Sequence, residues 1–223
     1  MKNKLLPYLA IIIFLSFSNC LFAQAPTLGT AGNFALFTSS GAVTNTGNSF
    51  ITGNVGTNTG AVTGFGNVNG VMHTSDGATG AAAADLLTAY KQLNTTTSTA
   101  SHAPLLGNGD TLRAGVYAIA GNTVMSGNLI LDGQNNPNSV FIFKIDAAFA
   151  TTAASQVILI NGAVSCNIFW KIEGMVTMAS NTTMRGTVIV NNAAIDMGTG
   201  DVIDGLILST TGAISLNNTS AKI

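Results

Sequence analysis

The chain has 223 residues, of which 47% are hydrophobic and only 8% are charged, against roughly 25% charged residues in an ordinary soluble domain. The length fits one domain, and the apolar fraction is large enough to form a core, which excludes an intrinsically disordered chain. A formal net charge of -1 without a basic cluster excludes nucleic acid as a partner, because few phosphate counterions would be released. Small neutral polar residues replace the missing charges: 28 Thr, 23 Asn and 25 Gly.

The first element in the chain is a targeting segment. Lys2 and Lys4 precede an apolar run at residues 5–17, which has the length of a signal-peptide core and is too short to span a membrane comfortably. The sequence therefore predicts a signal peptide at residues 1–23 and a mature domain at residues 24–223. We expect no membrane insertion after the signal peptide is cleaved.

This signal peptide predicts a secreted protein, with the periplasm or the cell surface as alternative locations. Cys20 would permit a lipoprotein, but residues 17–19 form a poor lipidation motif. Loss of Lys2 and Lys4 leaves 6 basic against 9 acidic residues, so the mature domain is mildly acidic. Cys166 is then the only cysteine, and its apolar surroundings, VSCNIFW, predict a buried structural thiol.

One segment of the mature domain has the pattern of an amphipathic helix. Residues 81–94 are rich in helix formers and follow Ser75 and Asp76, which are candidate N-caps. The apolar stripe consists of Leu86, Ala89, Tyr90 and Leu93. The sequence predicts a helix at about residues 78–98, which would be roughly 27 Å long and would match about six turns of a β-solenoid.

The C-terminal half contains three interleaved series of short strands. The first series is VFIFKI (140–145), NIFWKI (167–172), GTVIVN (186–191) and GLILST (205–210). The second is AFATTA (148–153), MVTMAS (175–180), AIDMGT (194–199) and AISLNN (213–218). The third is QVILING (156–162), TTMRG (182–186), DVIDG (201–205) and SAKI (220–223). Three strands per repeat of about 19 residues predict a mainly-β, three-faced solenoid.

The first series is almost continuously apolar, as is typical of strands that are covered on both sides. We therefore expect the helix to lie against the face that these strands form, which leaves two faces in contact with solvent. Phe141, Phe143 and Trp170 of this series are expected to belong to the core.

The motifs and their order resemble the microbial ice-binding protein family. They are LGTAGNFALF (28–37), SGAVTNTGNSFITGNVGT (40–57), LRAGVY (112–117), VFIFKI and NIFWKI, arranged around one helix. The resemblance covers residues 28–223 and implies a discontinuous right-handed β-helix with a long α-helix alongside. It also implies that the N-terminal turn docks onto the C-terminal stack. Some relatives insert a bulky cap before the helix, whereas only residues 67–78 are available here, which predicts a short-cap member.

The resemblance further implies ice binding through one flat face, with thermal hysteresis and inhibition of ice recrystallisation. The second series is the best candidate, because alternation directs short side chains outward in every turn. Solenoid turns repeat at about 4.8 Å, which is close to the oxygen repeat on exposed ice planes. The predicted ice-binding residues are Thr44, Thr46, Thr152, Thr177, Ala179, Asn181, Thr199, Ser215 and Asn217. The third series is a poorer template because it presents Arg185 and Asp204.

Catalysis and metal binding receive little support from the sequence. Asp201 and Asp204 have opposite strand parity, so they would not converge as an acid and a base. His73 and His102 lie in loops without carboxylate or cysteine partners at ligand spacing. We expect no enzyme, no cofactor and no metal site, and a monomer whose partner is the surface of an ice crystal. The alternative function is a non-catalytic adhesin or matrix protein that binds carbohydrate or cell surfaces.

Overall fold

A computed structural model describes residues 24–223, so the predicted signal peptide lies outside the described residues. The strands before the helix are β1 (Phe34–Thr38), β2 (Val43–Thr46), β3 (Phe50–Thr52), β4 (Asn54–Thr57), β5 (Val62–Thr63), β6 (Asn67–Asn69) and β7 (Met72–Thr74). Helix α1 spans Gly77–Thr95. Short 3-10 turns span Gly29–Asn33 and Ser165–Asn167. Among the described residues, no helix combines the length and the apolar character needed to cross a membrane.

Eighteen further strands follow the helix and build most of the stack. The first nine are β8 (Ala100–His102), β9 (Leu105–Gly107), β10 (Thr111–Arg113), β11 (Gly115–Ile119), β12 (Thr123–Ser126), β13 (Asn128–Asp132), β14 (Phe141–Ile145), β15 (Phe149–Thr151) and β16 (Gln156–Ile160). The last nine are β17 (Ile168–Ile172), β18 (Val176–Thr177), β19 (Thr183–Arg185), β20 (Thr187–Val190), β21 (Ile195–Asp196), β22 (Val202–Asp204), β23 (Ile207–Ser209), β24 (Ile214–Asn217) and β25 (Ser220–Lys222).

These strands form three parallel sheets around one core. Sheet A has the order β7-β4-β1-β23-β20-β17-β14-β11-β8 and contains the first series. Sheet B has the order β5-β2-β24-β21-β18-β15-β12-β9 and contains the second series. Sheet C has the order β10-β13-β16-β19-β22-β25-β3-β6 and contains the third series. The predicted three-faced solenoid is confirmed, and with eight or nine strands in a sheet it is taller than the six turns expected.

The solenoid is discontinuous in sequence, as the resemblance implied. Strands β1, β2 and β3 pair in parallel with β23, β24 and β25, so the first turn of the chain docks onto the last. Residues 67–78, which were expected to provide only a short cap, contain β6 and β7, and these strands extend sheets C and A by one strand each. Helix α1 then leads from β7 at one end of sheet A to β8 at the other.

Aromatic side chains fill the interior of the solenoid. Trp170 stacks on Phe143 with 4.1 Å between ring centroids, and Phe143 stacks on Tyr117 at 5.5 Å. The indole N–H of Trp170 donates to the carbonyl of Arg185 at 3.0 Å, which satisfies the polar edge of the ring inside the core. Phe141, Phe143 and Trp170 are fully buried, so their expected core role is confirmed.

The expectation of a buried Cys166 is wrong, because the structure places this free cysteine on the surface. It lies in the 3-10 turn Ser165–Asn167, at the corner before β17. The apolar string around Cys166 therefore contains a solvent-exposed corner that its hydrophobic pattern does not reveal.

Helix α1 covers the outer surface of sheet A. Asp76 caps its N-terminus, because its side chain accepts a hydrogen bond from the Thr79 N–H at 2.9 Å while the Asp76 N–H donates to the Thr79 hydroxyl. The buried helix residues are Thr79, Ala82, Leu86, Ala89 and Leu93. The last four pack against buried side chains of sheet A that include Phe37, Ile142, Phe169, Ile189 and Leu208.

The helix ends at Thr95, whereas the sequence suggested about residue 98. The hydroxyl of Thr96 donates to the carbonyl of Gln92 at 2.7 Å. A side chain therefore bonds to a carbonyl of the last turn, and such local bonds compete with continuation of the helix. The Lys144 ammonium also donates to the carbonyls of Asn94 and Thr96, at 2.9 and 2.7 Å. A cation from sheet A therefore satisfies the free carbonyls at the end of the helix.

Two adjacent leucines allow a matched test of how the helix is held. Leu86 is fully buried against sheet A, whereas Leu87 is 45% exposed. We expect Leu86→Ala to lower the free energy of unfolding by about 2–5 kcal/mol, because it leaves a cavity under the helix. Leu87→Ala should change it by no more than about 0.5 kcal/mol. Urea unfolding followed by circular dichroism measures both values, and equal losses would contradict this packing.

Candidate functional site

The outward surface of sheet B, called face B below, carries a column of mostly small side chains that are paired from strand to strand. In order along the sheet they are Thr63, Thr44, Ser215, Asp196, Thr177, Ala150, Val124 and Leu105. Parallel neighbours are about 4.8 Å apart, so eight strands extend over roughly 34 Å. The column is hydroxyl-rich at the β5 end and becomes apolar at the β9 end.

A second column lies two residues further along each strand. Thr46 pairs with Asn217, and Ser126 pairs with Gly107. Between those pairs the column continues through Gly198, Ala179 and Thr152, which lie just past the ends of β21, β18 and β15. The Thr152 hydroxyl also contacts the Ser126 hydroxyl at 3.2 Å.

A third column, two residues before the first, consists mostly of alanine. Its members are Ala61, Ala42, Ala213, Ala194, Met175, Ala148, Asn122 and Ala103, and the carbonyls of the first six each accept a ladder hydrogen bond from the next strand. Met175, which is 42% exposed, and the exposed Asn122 are the two members larger than alanine. Four of these residues are the first letters of the second-series strings, but outward positions were predicted only after the first inward residue of each string, so this column was not expected.

Seven of the nine predicted site residues lie in the first two columns. They are Thr44, Thr46, Thr152, Thr177, Ala179, Ser215 and Asn217, all exposed or half-buried. Asn181 and Thr199 are exposed beyond the strand ends, where the Asn181 N–H donates to the Thr199 carbonyl at 3.0 Å. They therefore lie at the margin of face B, and the structure brings all nine to one side of the solenoid.

Charge separates face B from the outward surface of sheet C. In the first two columns of face B the single charged residue is Asp196, which is half-buried between Thr177 and Ser215. Sheet C presents Arg113, Asp132, Arg185, Asp204 and Lys222. Because α1 covers sheet A, face B is the solvent-facing sheet surface with the fewest charges.

Buried polar side chains lie beneath both long edges of face B. At the edge toward sheet A, hydroxyls donate to corner carbonyls: Thr57 to Gly41 at 2.7 Å, Thr38 to Gly212 at 2.8 Å and Ser209 to Ala193 at 3.0 Å. At the edge toward sheet C the stacked polar residues are Ser155, Thr182, Asp201, Thr219 and Ser49, all buried. Side chains from neighbouring turns therefore fix the corners of the face from below.

Asp201 is the one carboxyl in that second stack. Its two oxygens accept hydrogen bonds from the Thr182 N–H at 2.8 Å and the Gly198 N–H at 2.7 Å. Burial raises the pKa of this carboxyl to about 6, despite those two N–H groups, which favour the charged form. Asp204 instead points outward toward Arg185, with 3.6 Å between Oδ2 and Nε. The two aspartates therefore do not converge, as the sequence predicted.

Each histidine has an aspartate partner, contrary to the sequence-based expectation. His73 Nδ1 lies 2.6 Å from Asp76 Oδ2, and this hydrogen bond lowers the pKa of Asp76. His102 Nε2 lies 3.7 Å from Asp110 Oδ2. The first pair is local, three residues apart at the helix N-cap, whereas the second joins the end of β8 to the β9–β10 loop. Both histidines lie in strands, β7 and β8, rather than in the expected loops. Within residues 24–223 no group of three or more His, Cys, Asp or Glu side chains is suitably placed to hold a metal ion.

Comparison with known proteins places the chain among ice-binding relatives. The profile of the family described as Ice-binding-like matches residues 37–222. An ice-binding protein of Nostoc sp. (strain HG1) is 35% identical over 214 residues, which cover 94% of this chain and 78% of that relative.

Two solved structures agree with the architecture. The crystal structure of an ice binding protein from an Antarctic bacterium, Flavobacteriaceae, has a TM-score of 0.89 and 59% identity, and the match covers 90% of this chain. This chain spans only about half of that protein, 47% of its length. The ice-binding protein of the Antarctic ascomycete Antarctomyces psychrotrophicus has a TM-score of 0.86 and 32% identity, and the match covers 90% of this chain and 98% of that chain.

The buried carboxyl of Asp201 makes stability depend on pH in a defined direction. Its pKa lies near 6 in the folded protein against an ordinary value of 3.8, so the folded chain holds a proton that the unfolded chain has released. This contribution to stability is complete below about pH 4 and is lost as the pH rises through about 6. We expect the free energy of unfolding of Asp201→Asn to lack this decline.

Urea unfolding of both proteins between about pH 4 and about pH 7 measures the difference. Every other carboxyl titrates in both proteins, so the difference between the two curves reports Asp201. Parallel curves would contradict the raised pKa.

Proposed function

Because the chain belongs to the ice-binding-like family, we propose that it is an antifreeze protein that adsorbs to ice through face B. The observation that carries this proposal is the set of three parallel columns of mostly short side chains, with Asp196 as the one charge in the first two. Their spacing of about 4.8 Å is set by backbone hydrogen bonds rather than by flexible side chains. The relatives are named as ice-binding proteins, and face B is the surface through which we infer that this chain binds ice.

Threonine, serine and alanine suit such a surface for different physical reasons. The hydroxyls of Thr44, Thr177 and Ser215 can each hold a water molecule, and β-branching restricts χ1 of the threonines. The alanine column adds methyl groups, which cannot compete with water for hydrogen bonds. Water over face B is therefore anchored in rows and ordered between them, in the way that contact with a crystal of water requires.

Adsorption of this kind accounts for two activities. A protein fixed to the ice surface makes the growing front curve between adsorbed molecules, which lowers the freezing point and gives thermal hysteresis. The same adsorption slows the transfer of water between crystals and so inhibits recrystallisation. The partner is the ice crystal itself, no cofactor or metal enters the mechanism, and the family is non-catalytic.

The proposed setting is extracellular. We infer that residues 1–23 direct export, that the mature domain acts as a secreted monomer, and that its sparse charge reflects contact with water rather than with a charged partner. An adhesin that binds carbohydrate is the alternative function. Phe50, which is 60% exposed on sheet C, is the aromatic side chain that such a protein would use. A single ring gives less support than the columns of face B.

The central position of Thr177 in the first column allows a direct test. We expect Thr177→Tyr to reduce thermal hysteresis severalfold or to abolish it, because a bulky ring would hold the ice surface away from Ala150 and Asp196 on either side. The matched control is Thr111→Tyr, at an exposed position on sheet C. Thermal hysteresis and inhibition of recrystallisation are measured on both folded variants. Equal activity of both variants would argue against face B.

Asp196 gives a test in the opposite direction. Its carboxylate interrupts a column of mostly short neutral side chains. Because a charged group binds water strongly, it disturbs the ice-like order of the water molecules over the neighbouring residues. We expect Asp196→Thr to raise thermal hysteresis at equal protein concentration, whereas Asp204→Thr on sheet C should leave it unchanged. Loss of activity in Asp196→Thr would mean that the carboxylate belongs to the ice-binding surface.

A further inference from the structure

We propose that a buried network of Thr151, Thr182 and Asp201 positions the ice-binding face. The inference rests on the function proposed above and adds residues that do not touch ice. All three side chains are buried beneath the edge of face B that adjoins sheet C. They act through the backbone of two half-buried residues in the second column, Ala179 and Gly198.

Two neighbouring strands of sheet B stop before they reach this edge. Strand β18 contains only Val176 and Thr177, and β21 contains only Ile195 and Asp196. Both strands therefore end two residues before the second column, which is formed here by Ala179 in one turn and Gly198 in the next. The ladder alone does not fix the height of the surface at these two positions.

Side chains replace the ladder at Ala179. Its N–H donates to the Thr151 hydroxyl at 2.9 Å, and its carbonyl accepts from the Thr182 hydroxyl at 2.6 Å. The two hydroxyls lie 2.7 Å apart. Because Thr182 uses its only hydroxyl proton on the carbonyl, Thr151 must donate in the bond between them. The result is a closed cycle in which both polar backbone groups of Ala179 are fixed.

Asp201 carries the network into the following turn. One oxygen accepts from the Thr182 N–H and the other from the Gly198 N–H, so a single carboxyl joins two neighbouring turns. Ala179 and Gly198 have little or no side chain, so their backbone height sets the local level of face B. A shift there would form a step between Thr152 and Asn217, which flank them in the same column.

The experiment first establishes whether the unmodified protein inhibits ice recrystallisation. It then compares Thr182→Val, which keeps the shape and removes the hydroxyl, with Thr182→Ser, which keeps the hydroxyl. Ser139→Ala is the matched control, since the buried Ser139 hydroxyl donates to the Gly133 carbonyl at 2.9 Å in the loop between sheets C and A. Circular dichroism verifies that each variant is folded at the assay temperature.

We expect Thr182→Val to require about fivefold more protein for the same inhibition, the factor that corresponds to one neutral hydrogen bond. Thr182→Ser and Ser139→Ala should match the unmodified protein. Amide hydrogen exchange should become faster at Ala179 and Gly198 in Thr182→Val while core amides of β17 keep their protection. A role in stability alone would lower the melting temperature without changing the activity of the folded protein.

The possible outcomes separate the two proposals. An inactive unmodified protein rejects the proposed function. An active protein whose folded Thr182→Val variant retains full activity rejects the network alone, as does an equal loss in Ser139→Ala. If Thr182→Val does not fold, Thr151→Val decides the question by the same comparison.

Discussion

The parallel hydrogen-bond ladder is the interaction on which the rest of the structure depends. It fixes the separation of neighbouring turns at about 4.8 Å, so any side chain repeated once per turn forms a straight row. The same ladder aligns Thr44 with Ser215 and Thr177 with Asp196 without help from the side chains themselves. A chain with few charges can therefore present an ordered surface, because order comes from the backbone and the side chains need only be short.

Straight rows also require the chain to turn at the same height in every turn, and stacked glycines provide this at the corner between sheets A and B. Gly41, Gly60 and Gly212 have φ values of 139°, 151° and 144°. A Cβ atom on Gly60 would lie 2.0 Å from the Gly41 carbonyl oxygen, and one on Gly41 would lie 2.4 Å from that of Gly212. The close approach of one corner to the next therefore excludes any larger residue and keeps the edge of face B narrow.

Much of the fold could be predicted from the sequence because strand alternation and helix periodicity are local. Inward Val176 and Met178 beside outward Thr177 follow from a period of two, and the buried stripe of α1 follows from a period of 3.6. Docking of β1 onto β23 does not follow from periodicity, since the two strands are far apart in the chain, and only the family resemblance indicated it. The buried network was also hidden, because alternation directs Thr152 outward and Thr151 inward but does not reveal that the Thr151 hydroxyl meets Ala179 and Thr182 of the next turn.

The seam between the first and last turns has a consequence for how the molecule folds. The Thr38 hydroxyl donates to the Gly212 carbonyl, 174 residues away, and the Thr219 N–H donates to the Ser49 hydroxyl, 170 residues away. Such distant pairings delay folding, since the entropy of closing a long loop is lost before any contact compensates for it. The N-terminal turns cannot complete their sheets until the C-terminus has been synthesised. A chain that must remain unfolded while it is exported through a membrane would benefit from this delay.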